Sequence, residues 1–178
     1  MLAALYFFFF QPSGPPPAVY GQTDALALAV VAWLTANVDN FILPIATERR
    51  FRLIDELPGI PSVSQPVSVD VFPDIEVSER QGISTAFKST YAIHLFIQQQ
   101  VSGAASEDAQ CALLTALRSQ IIDRLRVRSF NLTNAVHPVN GVILVHLKSA
   151  DRGLYNLNRL LDLHVYESDT ILTFRAAA

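Results

Sequence analysis

The stretch that decides the fold is SEDAQCALLTALRSQIIDRLRVR, residues 106–128, which predicts one amphipathic helix. Ser106 can cap its first turn with a hydroxyl, and Glu107 and Asp108 place negative charge at the positive end of the helix dipole. Apolar side chains recur at steps of three and four along one face: Leu113, Leu114, Leu117, Ile121 and Leu125. Strand-like segments precede and follow the helix, so we expect a sheet to bury this face.

Four arginines lie in this predicted helix: Arg118, Arg124, Arg126 and Arg128. Guanidinium groups are favoured at protein interfaces because they form bidentate pairs and stack on other groups. These arginines could therefore meet three acidic residues of a neighbouring copy, Asp74, Glu76 and Glu79. An equally good interpretation is a solvated helix face, on which the unpaired carbonyls of the last turn stabilise the cations.

The composition describes a single domain whose surface is short of charge. The chain has 178 residues, of which 51% are hydrophobic and 16% charged, whereas an ordinary soluble domain is about a quarter charged. We therefore expect other subunits to cover part of the surface. A formal net charge of −3 disfavours broad binding to nucleic acid. Cys111 is the only cysteine, which excludes an intramolecular disulfide and fits a reducing compartment.

Residues 1–22 predict an extended arm ahead of a single domain at 23–178. Residues 1–10 are apolar and contain four consecutive phenylalanines, Phe7, Phe8, Phe9 and Phe10, and a proline-rich connector follows at 12–17. The arm lacks the basic start of a secretory signal, and its apolar part is shorter than the roughly 20 residues that span a bilayer. Because exposed phenylalanines are unfavourable in water, we expect the arm to dock on a neighbouring subunit or a partner protein.

A second helix and five strand-like segments complete the pattern. Residues 23–40 predict a helix with Thr23 at its N-cap and an apolar side that includes Leu26, Val30 and Leu34. The predicted strands are 48–53, 67–72, 88–101, 141–149 and 163–174, the last being either one strand or a hairpin that turns near 167–169.

The remaining segments predict loops. Pro73 should end the second strand, so that residues 74–86 form a long loop suited to contact with a partner or projection into a channel. Residues 129–140 also predict a loop, and residues 151–161 predict irregular chain or a short helical turn. The element order α-β-β-β-α-β-β is typical of an α+β domain, with a mostly antiparallel sheet of about four to five strands packed by two helices.

The common catalytic and nucleotide-binding motifs do not occur in the sequence. It lacks G-x-x-x-x-G-K-[ST], G-x-S-x-G and H-E-x-x-H, and Cys111 has no histidine close to it in sequence. We therefore expect no catalytic residue, no metal and no cofactor. As an alternative, His94, His146 and His164, each in a predicted strand, could form a metal site with Asp162 if those strands are adjacent. The other interpretation is a polar sheet face that carries scattered histidines.

Several segments share their order along the chain and their residue character with a known family. They are 24–34 (DALALAVVAWL), the arginine-bearing strand at 49–53, the strands at 67–72 and 91–98, the helix that ends in arginines, and 171–175 (ILTFR). Together they resemble the tail-terminator, or tail-completion, proteins of tailed bacteriophages. The resemblance covers approximately residues 23–175. The chain departs from the family pattern in its proline-tethered apolar arm.

The resemblance implies a structural virion protein without catalytic residues. Its subunits would assemble as a ring, commonly a hexamer, at the head-proximal end of the tail. The ring would join the tail tube to the connector and neck proteins and let DNA pass through its lumen without sequence-specific binding or membrane contact. Assembly would take place in the host cytoplasm. From the residues alone, two other functions stay open: a small metal-dependent enzyme that uses the histidines, and a membrane-peripheral adaptor that inserts residues 1–10.

Overall fold

The computed structural model describes residues 21–51, 59–80, 87–101, 106–133 and 142–176. In these residues the chain forms three α-helices, six β-strands and a short 3-10 helix, Val38–Asn40. The α-helices are α1 (Gln22–Ala36), α2 (Glu107–Arg126) and α3 (Leu157–Leu163). The strands are β1 (Ile45–Arg49), β2 (Val67–Arg80), β3 (Phe87–Gln100), β4 (Ser129–Thr133), β5 (Val142–Tyr155) and β6 (Val165–Ala176). The predicted class, α+β, is confirmed.

The six strands form one mixed sheet in the order β1-β2-β3-β6-β5-β4. β1 pairs with β2 in parallel, and the other four neighbouring pairs are antiparallel. The predicted counts of two helices and four to five strands were therefore too low. The predicted element order lacked β4 and α3, and it did not include a parallel pair.

The core lies on one face of the sheet, beneath α1 and α2. Side chains alternate between the two faces of a strand, so the odd-numbered residues at the start of β2 and along β3 point toward the helices. Val69, Ile93 and Leu172 of the sheet are wholly buried, as are Leu26 of α1 and Ile121 of α2. The prediction that a sheet covers the apolar face of α2 is confirmed.

α2 occupies the predicted place, with two differences in detail. Ser106 is at the N-cap position, but its hydroxyl does not cap the backbone and instead accepts a hydrogen bond from Gln110 Nε2 at 3.1 Å. Leu113 is 48% exposed, whereas the other four residues of the predicted apolar face are buried. Ile122 is wholly buried, so the buried face of the helix is rotated toward Ile122.

α1 starts at Gln22, and Gly21 rather than Thr23 holds its N-cap position. The φ angle of Gly21 is 138°, a region that favours glycine because a Cβ atom would be strained there. In the first turn, Asp24 forms a buried ion pair with Arg49, the last residue of β1. Breaking such a pair leaves an uncompensated buried charge, so the pair fixes the start of α1 against the end of β1.

Several strand boundaries differ from the prediction. β1 lies at 45–49 instead of 48–53, residues 129–133 form β4 instead of a loop, and residues 151–155 extend β5. β2 continues past Pro73 to Arg80, so the prediction of a loop at 74–80 was wrong. An irregularity in the pairing between Pro73 and Glu76 accommodates the proline, which cannot donate a backbone hydrogen bond. β6 is a single strand, which resolves the alternative of a hairpin.

The predicted arm lies outside the described part of the chain, apart from Gly21 and Gln22, which form the N-cap and first residue of α1. Residues 81–86 of the predicted long loop also lie outside it. Within the residues that the structure covers, no helix combines the length and apolar character that crossing a membrane requires.

Candidate functional site

The β2–β3 hairpin extends beyond the strands that flank it. β1 pairs only with residues 67–71 of β2, and β6 pairs with residues 90–100 of β3. Residues 72–80 of β2 therefore have β3 on one side and no described strand on the other. An edge of this kind presents backbone N–H and C=O groups that another strand can pair with. Ile75 is 61% exposed and Val77 is 45% exposed on the same segment, which makes it a candidate contact surface.

His94 connects the base of this hairpin to the centre of the sheet. Its Nδ1 lies 2.9 Å from the carboxylate of Asp169 on β6, and its Nε2 lies 3.3 Å from Oδ2 of Asp74 on β2. Through these two contacts His94 joins the irregular part of β2 to β6.

A shallow cavity of about 220 Å³ lies beside His94 on the outer face of the sheet. Phe72 and Phe96 line it in edge-to-face contact, with ring centroids 6.0 Å apart. His94 and Asp169 form its polar wall. The described lining combines two aromatic rings with one imidazole and one carboxylate, so the cavity is suited to receiving an apolar side chain.

Two of the four arginines predicted to lie at an interface are used within the subunit. Arg118 donates from Nη1 to Ser168 Oγ at 2.8 Å, which directs it from α2 onto β6. Arg124 donates from Nη2 to the carbonyl oxygen of Asn40 at 2.7 Å, and its guanidinium lies 5.3 Å from the ring centroid of Phe41. These contacts hold α2 against the sheet and against the segment that follows α1.

The other predicted interface residues lie at the surface or outside the described residues. Arg126 pairs at 3.0 Å with an aspartate one turn earlier on α2, and Arg128 is exposed just before β4. Asp74 and Glu76 are both exposed and lie on β2, not in a loop. No side-chain position is described for Glu79, and Phe7, Phe8, Phe9 and Phe10 lie outside the described residues.

The three histidines of the predicted metal site lie apart. His94 pairs in register with Ile171 of β6, and His146 pairs with Arg175 of the same strand, so about 13 Å of strand separates the two levels. His164 ends α3 at its C-cap, in the left-handed conformation. In the described part of the chain, no group of three or more histidine, cysteine, aspartate or glutamate residues could hold a metal ion.

Cys111 is a half-buried thiol on α2. Burial raises its pKa, and the negative charges of Glu107 and Asp108 raise it further. A raised pKa disfavours the thiolate, which is the nucleophilic form of cysteine. This environment supports the interpretation of Cys111 as a small packing residue.

Two apolar surface features were missed by sequence reasoning. On α3, Leu157 is 52% exposed and Leu161 is 64% exposed, while only Leu160 is buried. The spacing of four residues between the two exposed leucines was a local signal that they share one side of a helix. The second feature is a cavity of about 150 Å³ beside Leu113 and Val63. It forms where segments distant in sequence meet, so no local pattern could have indicated it.

Comparison with models of known protein families and with curated proteins found no match to the chain.

Proposed function

We propose that the chain is a structural subunit of a ring at the head-proximal end of a bacteriophage tail. The observation that carries the proposal is the β2–β3 hairpin, whose outer edge at residues 72–80 has no described strand beside it and exposes Ile75 and Val77. A protein whose work is assembly needs surfaces that copies of itself can cover, and exposed apolar residues on an open strand edge meet that need.

Other exposed apolar residues support assembly through more than one surface. Leu157 and Leu161 of α3 and Leu113 of α2 are all exposed, and they belong to different parts of the domain. A ring subunit contacts two neighbours and also the rings above and below it, so several separate contact surfaces are expected. Each stable contact would bury more than about 1,000 Å².

In the proposed assembly, the ring caps the tail tube and joins it to the connector and neck proteins. DNA passes through the lumen without sequence-specific binding, for which the net charge of −3 is suitable. The family that the chain resembles commonly forms hexamers, and we propose the same number here. The subunit's contribution is mechanical, and no chemical step is assigned to it.

The oligomeric state of the whole chain tests the ring. Light scattering coupled to size-exclusion chromatography should show one closed oligomer, and electron microscopy of the same fraction should show rings with a central hole. A protein that stays monomeric at every concentration tested would overturn the proposal.

Capping activity tests the proposed place at the tail end. Polymerising tail-tube subunits from the same genome should stop lengthening when the purified protein is added, and the rings should be visible at tube ends. Rings that form but neither bind nor stop the tubes would place the protein elsewhere, while leaving ring formation intact.

A further inference from the structure

We infer that neighbouring subunits join edge to edge through two strand segments that have no described strand on their outer side. Residues 72–80 of β2 in one copy, the open segment of β2, pair with residues 147–155 of β5 in the next copy, the open segment of β5. The inference rests on the proposed ring and names the contact that would close it. A second copy of this chain is the occupant of both edges.

The two open edges lie on opposite sides of the sheet. On β5, residues 147–155 pair with β6, while β4 pairs only with residues 142–146. Residues 147–155 therefore have no described strand on their second side, as is true of residues 72–80 of β2. Contacts between two different surfaces are heterologous, and heterologous contacts close into rings when the rotation permits.

The open segments lie at the same level in the sheet. Phe72 pairs with His94, His94 with Ile171, and Ile171 with Asp151. Four residues further along β2, the register runs from Glu76 through Tyr91 and Phe174 to Leu147. Residues 72–76 are thus level with residues 147–151.

This common level is what a ring requires. Copies in a closed ring are related by rotation alone, without a shift along the ring axis. If that axis runs along the strands, the rotation places residues 147–151 of one copy beside residues 72–76 of the next. The sheet has three antiparallel steps between β2 and β5, so the two strands would meet antiparallel. Added strands of this kind bind through backbone hydrogen bonds, as in β-augmentation.

The charges of the two segments are complementary. Asp74 and Glu76 make the β2 segment acidic, and both are exposed. Lys148 is exposed on β5 at the level of that acidic pair. Arg128 is exposed directly before Ser129, which pairs with His146, so it lies next to the start of the open β5 segment. Opposite charges across an interface favour this register and disfavour others.

Both open segments contain an irregularity in their pairing at the same level. On β2 it lies between Pro73 and Glu76, and on β5 it lies between Leu147 and Ser149. Irregular edges pair poorly with ordinary strands, which protects sheets from unspecific association. Side-chain charge should therefore contribute strongly to the choice of partner.

Charge reversal tests the contact. We expect Glu76→Lys and Lys148→Glu each to weaken association of the whole chain roughly tenfold or more, because each places like charges together. The combined variant, Glu76→Lys with Lys148→Glu, should recover most of the association. Asp39→Lys changes an exposed acidic residue that lies before β1 and should assemble as the wild type does.

A disulfide gives a second test that does not depend on charge. In a Cys111→Ser background, Glu76→Cys and Lys148→Cys are combined in one chain. Three strand spacings, about 14 Å, separate β2 from β5 within a subunit, which is too far for an internal disulfide. Oxidation should therefore link copies into a ladder that ends at the full ring on a non-reducing gel. The pair Asp39→Cys with Lys148→Cys is the control and should not form that ladder.

The outcomes separate this inference from the proposed ring. A wild type that forms rings, with single charge variants that assemble equally well and no disulfide ladder, would overturn the edge contact alone. A wild type that remains monomeric would overturn the ring and the edge contact together.

Discussion

Asp70 is a buried carboxylate on the outer face of β2. Its side chain is 3% exposed, Arg50 Nε lies 2.9 Å from its Oδ1, and Ser68 donates to its Oδ2 at 3.0 Å. Burial raises the pKa of Asp70 above the ordinary 3.8, although Arg50 and Ser68 oppose the rise. Because burial is the larger effect, folded Asp70 keeps its proton at pH values where the unfolded chain has lost it.

Asp70→Asn should therefore change how stability depends on pH. The contribution of Asp70 to the free energy of unfolding is fully present below pH 3.8 and is lost as the pH rises through the folded-state pKa. In urea titrations at a series of pH values, we expect the free energy of unfolding of the wild type to fall relative to that of the variant across this window. Arg50→Gln should show a larger fall, because the opposing guanidinium is gone. A wild-type advantage that grows with pH would show that Arg50 outweighs burial.

At the scale of single residues, the sequence predicted which face a side chain occupies better than what lies above it. The alternation at 67–72 correctly placed Val69 and Val71 in the core and Asp70 on the other face. It did not predict that Asp70 is buried, because Arg50 reaches Asp70 only through the parallel pairing of β1 with β2. Leu113 illustrates the same limit, since its exposure depends on how α2 is rotated against the sheet.

Among the elements, those with strong local periodicity were predicted best. α2 and β3 lie within one residue or two of their predicted boundaries. β1 and β4, of five residues each, are defined by pairing with a distant strand, and local sequence could not fix them. β2 was predicted to end at Pro73, but a proline is tolerated where the register is irregular and no described strand of the same subunit pairs on the second side.

The hairpin formed by β2 and β3 depends on His94 for its attachment to β6. We expect His94→Ala to lower the free energy of unfolding by about 1 kcal/mol, because Asp74 and Asp169 lose their shared partner and repel each other. The loss is limited because the carboxylates are 33% and 47% exposed and water screens them. Urea denaturation measures the change.

His146→Ala supplies the matched control for the hairpin test, because His146 is an exposed histidine on the outer face of β5. Its effect should stay within about 0.5 kcal/mol. Adding Asp74→Asn to His94→Ala should restore part of the lost stability by removing the repulsion. Equal effects at His94 and His146 would contradict an attachment through the two carboxylates.

For the whole molecule, the order of the strands decides which surfaces are available for assembly. Because β2 is flanked by a short parallel strand and β5 by a short antiparallel one, each long strand has, at the same level, a segment with no described strand on its second side. Neither open segment could be predicted from sequence, since each is defined by where another strand stops. Of the residues predicted for an interface, Asp74 and Glu76 lie on the open edge of β2, and Arg128 lies next to the open segment of β5. Arg118 and Arg124 are used inside the subunit.

The arm predicted at residues 1–22 is expected to act between subunits, and removing residues 1–20 tests this at the scale of the assembly. A chain that begins at Gly21 keeps the described start of α1, including the ion pair between Asp24 and Arg49. We therefore expect the truncated subunit to unfold at the same urea concentration as the wild type. Burial of each phenylalanine stabilises a contact by roughly 1.5 to 3 kcal/mol, so the assembled form should dissociate at markedly higher protein concentration without the arm.

The arm is long enough to contact a neighbouring subunit, because the eleven residue-to-residue steps from Phe10 to Gly21 span roughly 34 Å when extended. Replacing Phe7, Phe8, Phe9 and Phe10 with serine retains the connector and should weaken association as much as the full truncation does. Light scattering on dilution measures association, and urea denaturation under dilute conditions measures the single subunit. If truncation lowers the stability of the subunit and leaves its association unchanged, the arm packs on its own chain, and the subunits are held together by the folded domain alone.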